Sequence, residues 1–371
     1  MSVYVTSTGR YLPGPVIDNE KIEEILGYVD GKPSRLKTKI LESNGIKARH
    51  YAMDERQCST HQNEDLAYEA ALRCLETSTW DAAKVGMLSC ATSQGDMPLP
   101  GFGSMVQARL GIPSVELLST HGICSCSMMA VKAAYNALRV GDHKIALVVA
   151  SELSSRLFKH TRYEAAGGHG RVDFQAEFLR WMLSDGAGAL LLETQPRARS
   201  LRIDWIRSFS HADAFPVCMG VGRPRDTKDS RTWLDYPTFA EAEAEGAILL
   251  RQDLRLLEYI VKLGVDGALR LIEEGLLNMS KIDYFLCHYS SHHFRGKIAD
   301  MLEMAGASIP QDKWYTNLYT RGNTGCASMF IMMDEFLEVE KARPGDRLLC
   351  MVPESGRFNT VYMHLTMMGE R

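Results

Sequence analysis

Two cysteines one residue apart, Cys124 and Cys126, stand in HGICSCSMMA (residues 121–130) at the mouth of an apolar helical run. A thiol at a helix N-terminus feels the positive end of the macrodipole, which stabilises the thiolate and lowers its pKa from about 8.5 toward neutrality. Nearby backbone N–H groups also offer a site for an oxyanion. Taken alone, a cysteine beside an apolar helix is more often a small buried hydrophobe, by roughly three to one. His288 ends the apolar stretch IDYFLCH, and Asn323 lies in RGNTG. Singly, the first reads as a core histidine satisfied by a carbonyl and the second as a turn residue. Together the three residue types are what a thioester condensation needs: a thiolate to hold an acyl group, and two neutral donors for the oxygen of a developing enolate. The residues leave open which of the two thiols acts. A zinc pair is disfavoured, because Cys124-x-Cys126 is spaced too tightly and no two further ligands stand near it.

The elements that must position these groups read as an α/β pattern, short β-branched runs alternating with helices. Strands are expected at 3–9, 86–93, 144–152, 188–194, 283–288 and 347–353, with LLSTHGIC leading to Cys124. Asn19 is expected to cap a helix over NEKIEEIL, Asp65 to open DLAYEAALRCLE, and further helices to cover about 239–275, 291–304 and 325–338. The Arg- and Pro-rich stretch near 195–230 is the candidate joint between two halves, 1–195 and 196–371. Each half carries a strand ending at a reactive residue type, then a small-residue turn and a helix. Open α/β sheets collect their chemistry at such corners.

The 371 residues carry 42 Lys+Arg against 46 Asp+Glu, a net charge of -4 with no basic block, which excludes a nucleic-acid footprint. No window approaches 18 apolar residues, and MSVYVTSTGRYLPG lacks a charged leader before an apolar stretch, so no membrane role and a cytoplasmic location are expected. Nine scattered cysteines without a C-x-x-C pair suit free thiols in a reducing compartment.

Several motifs in order resemble the β-ketoacyl-acyl carrier protein synthase III group of the thiolase-fold condensing enzymes. They are STGRYLPGPVIDN (7–19), NGIKARHYA (44–52), ATSQGDMPLPGFGSMVQARLGI (91–112), Cys124 with its helix and ALVVASE (146–152), SDGAGALLL (184–192), IDYFLCH (282–288) and RGNTGCASMFIMMDE (321–335). The resemblance implies the duplicated five-layer αβαβα thiolase-like fold and a homodimer. It puts the nucleophile on Cys124, leaves Cys126 as a packing thiol, and assigns the enolate donors to His288 and Asn323. The oxyanion hole would be the N–H groups of Cys124 and Gly356. His121, His292 and His293 are second choices, as structural or exposed side chains. The implied partner is acyl carrier protein, with substrates on its phosphopantetheine arm or on CoA, and with no metal or resident cofactor.

This chain also departs from that group. Where CoA-using members carry a Trp and an Arg that clamp the adenine, TKILESNGIKARH has Lys39 and Ser43, which favours carrier-bound substrates. Lys37, Lys39, Arg223 and Arg225 are candidate contacts for the acidic carrier. The C-terminal glycine run is replaced by ESGRFN, which keeps Gly356 but adds Arg357, and extra material stands at 154–182 and about 209–250, suggesting a differently shaped tunnel. These changes point to the secondary-metabolite branch that joins two carrier-bound chains, as in dialkylresorcinol or α-pyrone assembly, with His288 as the base. Met128, Met129, Met329, Met332 and Met333 are tunnel candidates, against an ordinary core reading. The rival functions are an acyltransferase of the same fold acting on an alcohol or amine, and a non-catalytic partner subunit. A papain-like protease is excluded by the absence of a leader and by the position of the cysteine.

Overall fold

The computed structural model describes every residue except 79, 167–173, 225–227, 341, 370 and 371. Ten strands form one continuous sheet, and their order shows that the chain repeats itself. The first half runs β1 (Val3–Tyr11), α1 (Asn63–Glu76), β2 (Met87–Thr92), α2 (Phe102–Leu110), β3 (Glu116–His121), α3 (Cys126–Val140), β4 (Ile145–Glu152) and β5 (Gly186–Glu193). The second runs β6 (Leu201–Ser210), α4 (Leu257–Glu273), β7 (Tyr284–Cys287), α5 (His292–Met304), β8 (Trp314–Tyr315), α6 (Ser328–Val339), β9 (Arg347–Glu354) and β10 (Asn359–Met367). In these labels the sheet order is β8-β7-β9-β10-β6-β1-β5-β4-β2-β3, so each half has the same third-second-fourth-fifth-first arrangement. The halves meet where β6 and β1 pair antiparallel through Val3, Tyr4 and Val5.

Burial explains the layers. Strands β2, β4 and β5 are buried at every residue, as strands covered on both faces must be. One face of the first-half sheet packs on α1 and α2 through Leu66, Ala70, Val106 and Leu147. The outer face of the second half packs on α4 and α5 through Val265, Ile298 and Phe285. Between them, α3 and α6 bury Met128, Val131, Leu138, Met329, Met332 and Phe336 against strands of both halves. The result is five layers with α3 and α6 in the middle, the architecture the resemblance implied.

The remaining differences from the sequence reading are local. The Arg-rich joint contains β6, whose half-buried alternation was masked by its polar residues, and β8 and β10 also went unread. The long run at 239–275 is a six-residue helix, Phe239–Ala244, a two-residue strand, Arg251–Gln252, and α4. Gly246 at φ +70° ends the first piece, and Asp253 caps the turn entering the last. Asn19 caps nothing: the Asp18 carboxylate accepts the Glu20 and Lys21 N–H groups, while Asn19 binds the Ile46 carbonyl and the Arg49 guanidinium. Helix α1 starts two residues before Asp65, which closes a capping box with Gln62. All nine cysteines are free thiols.

Candidate active site

Three corners of the repeat converge on one cavity of about 370 Å³. The first follows edge strand β3, where Gly122 lets the chain turn tightly: a Cβ there would stand 3.0 Å from the Cys126 Cβ. Cys124 sits in this turn, 7 % exposed, before the first residue of α3. The second corner ends β7. The His288 N–H donates to the Met351 carbonyl at 2.9 Å, fixing the residue to β9, and its Nε2 is buried without a partner. The third lies between the short helix Leu318–Arg321 and α6, where Gly322 at φ +74° redirects the chain. Here the first half holds Asn323: its carbonyl accepts from Ser184 N–H at 2.8 Å and its N–H donates to the Met182 carbonyl. The Asn323 Oδ1 accepts the Gly325 N–H at 3.0 Å, which orients the amide and leaves its NH₂ for the cavity.

Cys124, His288, Asn323 and Gly356 all line this cavity, so the four residues singled out in the sequence are brought together. Burial moves the His288 imidazole down to about 4, which makes it a neutral ring at ordinary pH and a weak base. The thiol behaves against expectation. Burial first, and then the neighbouring Glu354 and Glu152 carboxylates, push Cys124 well above the ordinary thiol value. The helix dipole does not prevail because Cys124 precedes α3, and the N–H groups on either side of it, of Ile123 and Ser125, are already bound to Glu354 at 3.2 and 3.1 Å. Cys126 is buried in the central layer, in the same apolar cluster as Cys326.

The secondary candidates scatter. His121 reaches the cavity wall, His292 binds the Tyr319 hydroxyl at 2.7 Å, and His293 packs on the Phe294 ring. Lys37 is tied to Glu23 at 3.0 Å; Lys39, Ser43 and Arg223 are exposed, and Arg225 lies outside the described residues. Met128, Met329, Met332 and Met333 belong to the central core, with Met129 packed against it, and not to the cavity. The methionines that do line it, Met182 and Met219, come from the segments 154–182 and 209–250, together with Leu157, Leu179, Val217 and Leu250. These two segments thus form an apolar wall of the cavity.

Two acidic residues in the cavity went unweighed in the sequence. Glu152 ends β4, accepting Ser93 N–H at 3.1 Å and Cys326 N–H at 3.2 Å, and burial raises its carboxyl. It therefore clips the turn that carries Asn323 to the first half. Glu354 ends β9. Its Oε2 takes the Ile123 and Ser125 N–H groups and the Ser125 hydroxyl at 2.6 Å, and Asn359 Nδ2 donates to the same hydroxyl at 2.7 Å. A carboxylate in ESGRFN, where the resembled group has a glycine run, was the available signal.

Comparison with known proteins agrees with this architecture. Residues 116–198 match the family described as "Beta-ketoacyl synthase, N-terminal domain", and residues 272–356 match "3-Oxoacyl-[acyl-carrier-protein (ACP)] synthase III C terminal". The first span contains Cys124; the second contains His288, Asn323 and Gly356. The β-ketoacyl-[acyl-carrier-protein] synthase III of Hyphomonas neptunium is 24% identical over 351 residues, 93% of each chain. Among solved structures, AbyA1, a tetronic acid condensing enzyme, superposes with a TM-score of 0.76 at 20% identity, over 98% of this chain and 99% of that one. The synthase III of Aquifex aeolicus VF5 gives 0.74 at 20% identity, over 98% and 99%.

Proposed function

We propose that this chain, a homologue of the β-ketoacyl-acyl carrier protein synthase III enzymes and like them an acyl-transferring condensing enzyme of thiolase-like fold, is a ketosynthase that charges Cys124 with an acyl group and joins it to a second thioester. The observation that carries the reading is the convergence of Cys124, His288, Asn323 and Gly356 on one cavity from separate corners of both halves. In the first step Cys124 attacks an acyl thioester, and the tetrahedral oxyanion is held by the N–H groups of Cys124 and Gly356. In the second, a malonyl thioester loses CO2, or a β-ketoacyl thioester gives up its α-proton, to form an enolate whose oxygen lies between His288 Nε2 and the Asn323 amide. A neutral imidazole with a free nitrogen and an amide whose carbonyl is already engaged are the two neutral donors this oxygen requires. The enolate carbon attacks the acyl-enzyme, a carbon–carbon bond forms, and the Cys124 thiolate leaves.

Acyl carrier protein is the proposed source of both thioesters, because the adenine-clamping pair is replaced by exposed Lys39 and Ser43. The head-to-head reaction of two carrier-bound chains remains the favoured branch, on the strength of the apolar wall built by the extra segments. The active form is proposed as a homodimer. Among the described residues strand β3 leaves one ladder edge unpaired, with Glu116, Leu117, Ser119 and His121 exposed, and Leu99 is 83 % exposed. No helix among the described residues is long and apolar enough to cross a membrane.

The test is intact-protein mass spectrometry of wild type, Cys124→Ala and Cys126→Ala after incubation with hexanoyl-CoA or hexanoyl-loaded acyl carrier protein. One acyl mass on wild type and Cys126→Ala, faster from the carrier, with none on Cys124→Ala, is the expected result. Labelling that persists in Cys124→Ala, or none on wild type, refutes the assignment. Product analysis with a second thioester separates condensation from transfer to an alcohol or amine.

A further inference from the structure

We propose that Glu354 is the proton carrier of this site, its unanchored oxygen taking the proton of the Cys124 thiol during acylation and the α-proton of the second thioester during condensation. The proposal rests on the ketosynthase reading of the same cavity and adds a catalytic residue to it.

The geometry separates the two carboxylate oxygens. Oε2 is locked by three donors from the residues flanking Cys124, and Asn359 steadies the Ser125 hydroxyl from the other side of the β9–β10 hairpin. Oε1 has no hydrogen bond among the described residues, and a Cβ built on Gly356 would stand 3.0 Å from it. Glu354 therefore presents one free oxygen beside the proposed oxyanion site, in the cavity that holds Cys124, His288 and Asn323. The other titratable groups facing this space are poorer acceptors. Glu152 is buried with both oxygens engaged by Ser93 and Cys326, His288 is held neutral by burial, His121 is at the exposed end of β3, burial raises the Tyr289 phenol so that it keeps its proton, and Arg357 is a cation whose Nε donates to the Phe215 carbonyl.

Charge gives the arrangement its logic. A fixed anion beside an oxyanion hole opposes the transition state, and it also holds the Cys124 thiol protonated. Both objections vanish if the anion itself accepts the thiol proton as the oxyanion forms. The steps then balance. The Cys124 S–H bond breaks, its proton passes to Glu354 Oε1, sulfur bonds to the thioester carbon, and the carbonyl pair moves onto oxygen. Collapse expels the carrier thiolate, which leaves as a thiol with the proton from Glu354. In condensation the ionised Glu354 removes the α-proton of the second thioester. The enolate carbon attacks the acyl-enzyme, and the departing Cys124 thiolate recovers that proton. One carboxylate returns to its starting state twice per turnover.

The experiment compares wild type, Glu354→Gln and Glu354→Asp by single-turnover acylation from hexanoyl-loaded acyl carrier protein, and by the pH midpoint at which iodoacetamide alkylates Cys124. Expected for Glu354→Gln are acylation slowed on the order of 100-fold or more and an alkylation midpoint shifted to lower pH, because a negative charge has gone. Glu354→Asp should keep the higher midpoint and recover part of the rate. Two results overturn the proposal: wild-type acylation in Glu354→Gln, or slowed acylation with an unmoved midpoint, which marks a structural anchor. In both, wild type is still acylated on Cys124, so the ketosynthase reading stands; if wild type itself takes no acyl group, that reading fails first.

Discussion

The neutral state of His288 is open to direct measurement, and burial gives the sign of the shift. Burial moves the imidazole from 6.5 to about 4. At pH 5.5 an ordinary histidine is about 90 % protonated, whereas one at about 4 is only about 3 % protonated. The perturbation is acid titration of the Cys124→Ala protein, followed through imidazole ¹⁵N and C2–H resonances, with His288→Asn supplying the assignment by difference. The resonance that vanishes in His288→Asn should remain in its neutral form at pH 5.5. Because the folded value is depressed, the unfolded chain binds more protons between 6.5 and 4. The group's contribution to stability is therefore complete above pH 6.5 and is lost as pH falls toward 4. The gap of about 2.5 pK units is worth about 3 kcal/mol, so His288→Asn should lose less stability than wild type between pH 7 and 4, by that order. A His288 resonance titrating at pH 6 or above would refute the reasoning, and would return to this ring the role of base that the sequence suggested.

In the proposed mechanism, replacing Asn323 by Ala removes a donor needed only for the enolate. Condensation by pre-acylated enzyme should fall on the order of 100-fold or more, while single-turnover acylation of Cys124 changes little; equal losses in both steps would count against the role. Asp185 is raised from 3.8 to about 6, chiefly by burial and despite its bonds from Ser155 and Ala52. A carboxyl raised on folding stabilises fully below pH 3.8 and loses that contribution as pH rises through 6, about 3 kcal/mol for 2 pK units; denaturation of Asp185→Asn should lack this component of the wild-type pH profile. At Gly188 an added Cβ would lie 2.5 Å from the Phe330 Cβ and 3.1 Å from the Ile331 nitrogen, where β5 packs on α6. Gly188→Ala should therefore destabilise by ~1–3 kcal/mol, seen as a lower midpoint in urea; an unchanged midpoint would show that α6 shifts at no cost.

The first-half strands were legible because burial on both faces leaves β2, β4 and β5 as apolar runs with no competing pattern. Strand β6 was not, because it crosses between halves as a half-buried strand, and its Arg202, Asp204 and Arg207 read as joint material. Cys124, His288 and Asn323 could be singled out by residue type at turns, and the topology carries those turns to one cavity, whereas the choice of Cys124 over Cys126 and the naming of Gly356 needed the family resemblance. Proton affinities could not. The thiol's environment depends on Glu354, 230 residues away in the chain, and on which N–H groups it has already consumed. The same long-range dependence hid the cavity wall, whose Met182 and Met219 come from segments without a periodic signal, while the obvious methionine stripes pack the central layer.

The pairing of β6 with β1, together with the layer shared by α3 and α6, constrains how molecules enter and leave. An enzyme whose pocket lies between two lobes can open by a hinge, but here swinging the halves apart would break sheet pairs and expose the common core, at a cost close to that of unfolding. In the proposed reaction, passage of an acyl chain would fall instead to the segments that carry Leu157, Leu179, Met182, Val217, Met219 and Leu250, which meet the cavity through side chains. Turnover would then be paced by their rearrangement as much as by bond making, so chain-length preference would be set as much by kinetics of escape as by affinity.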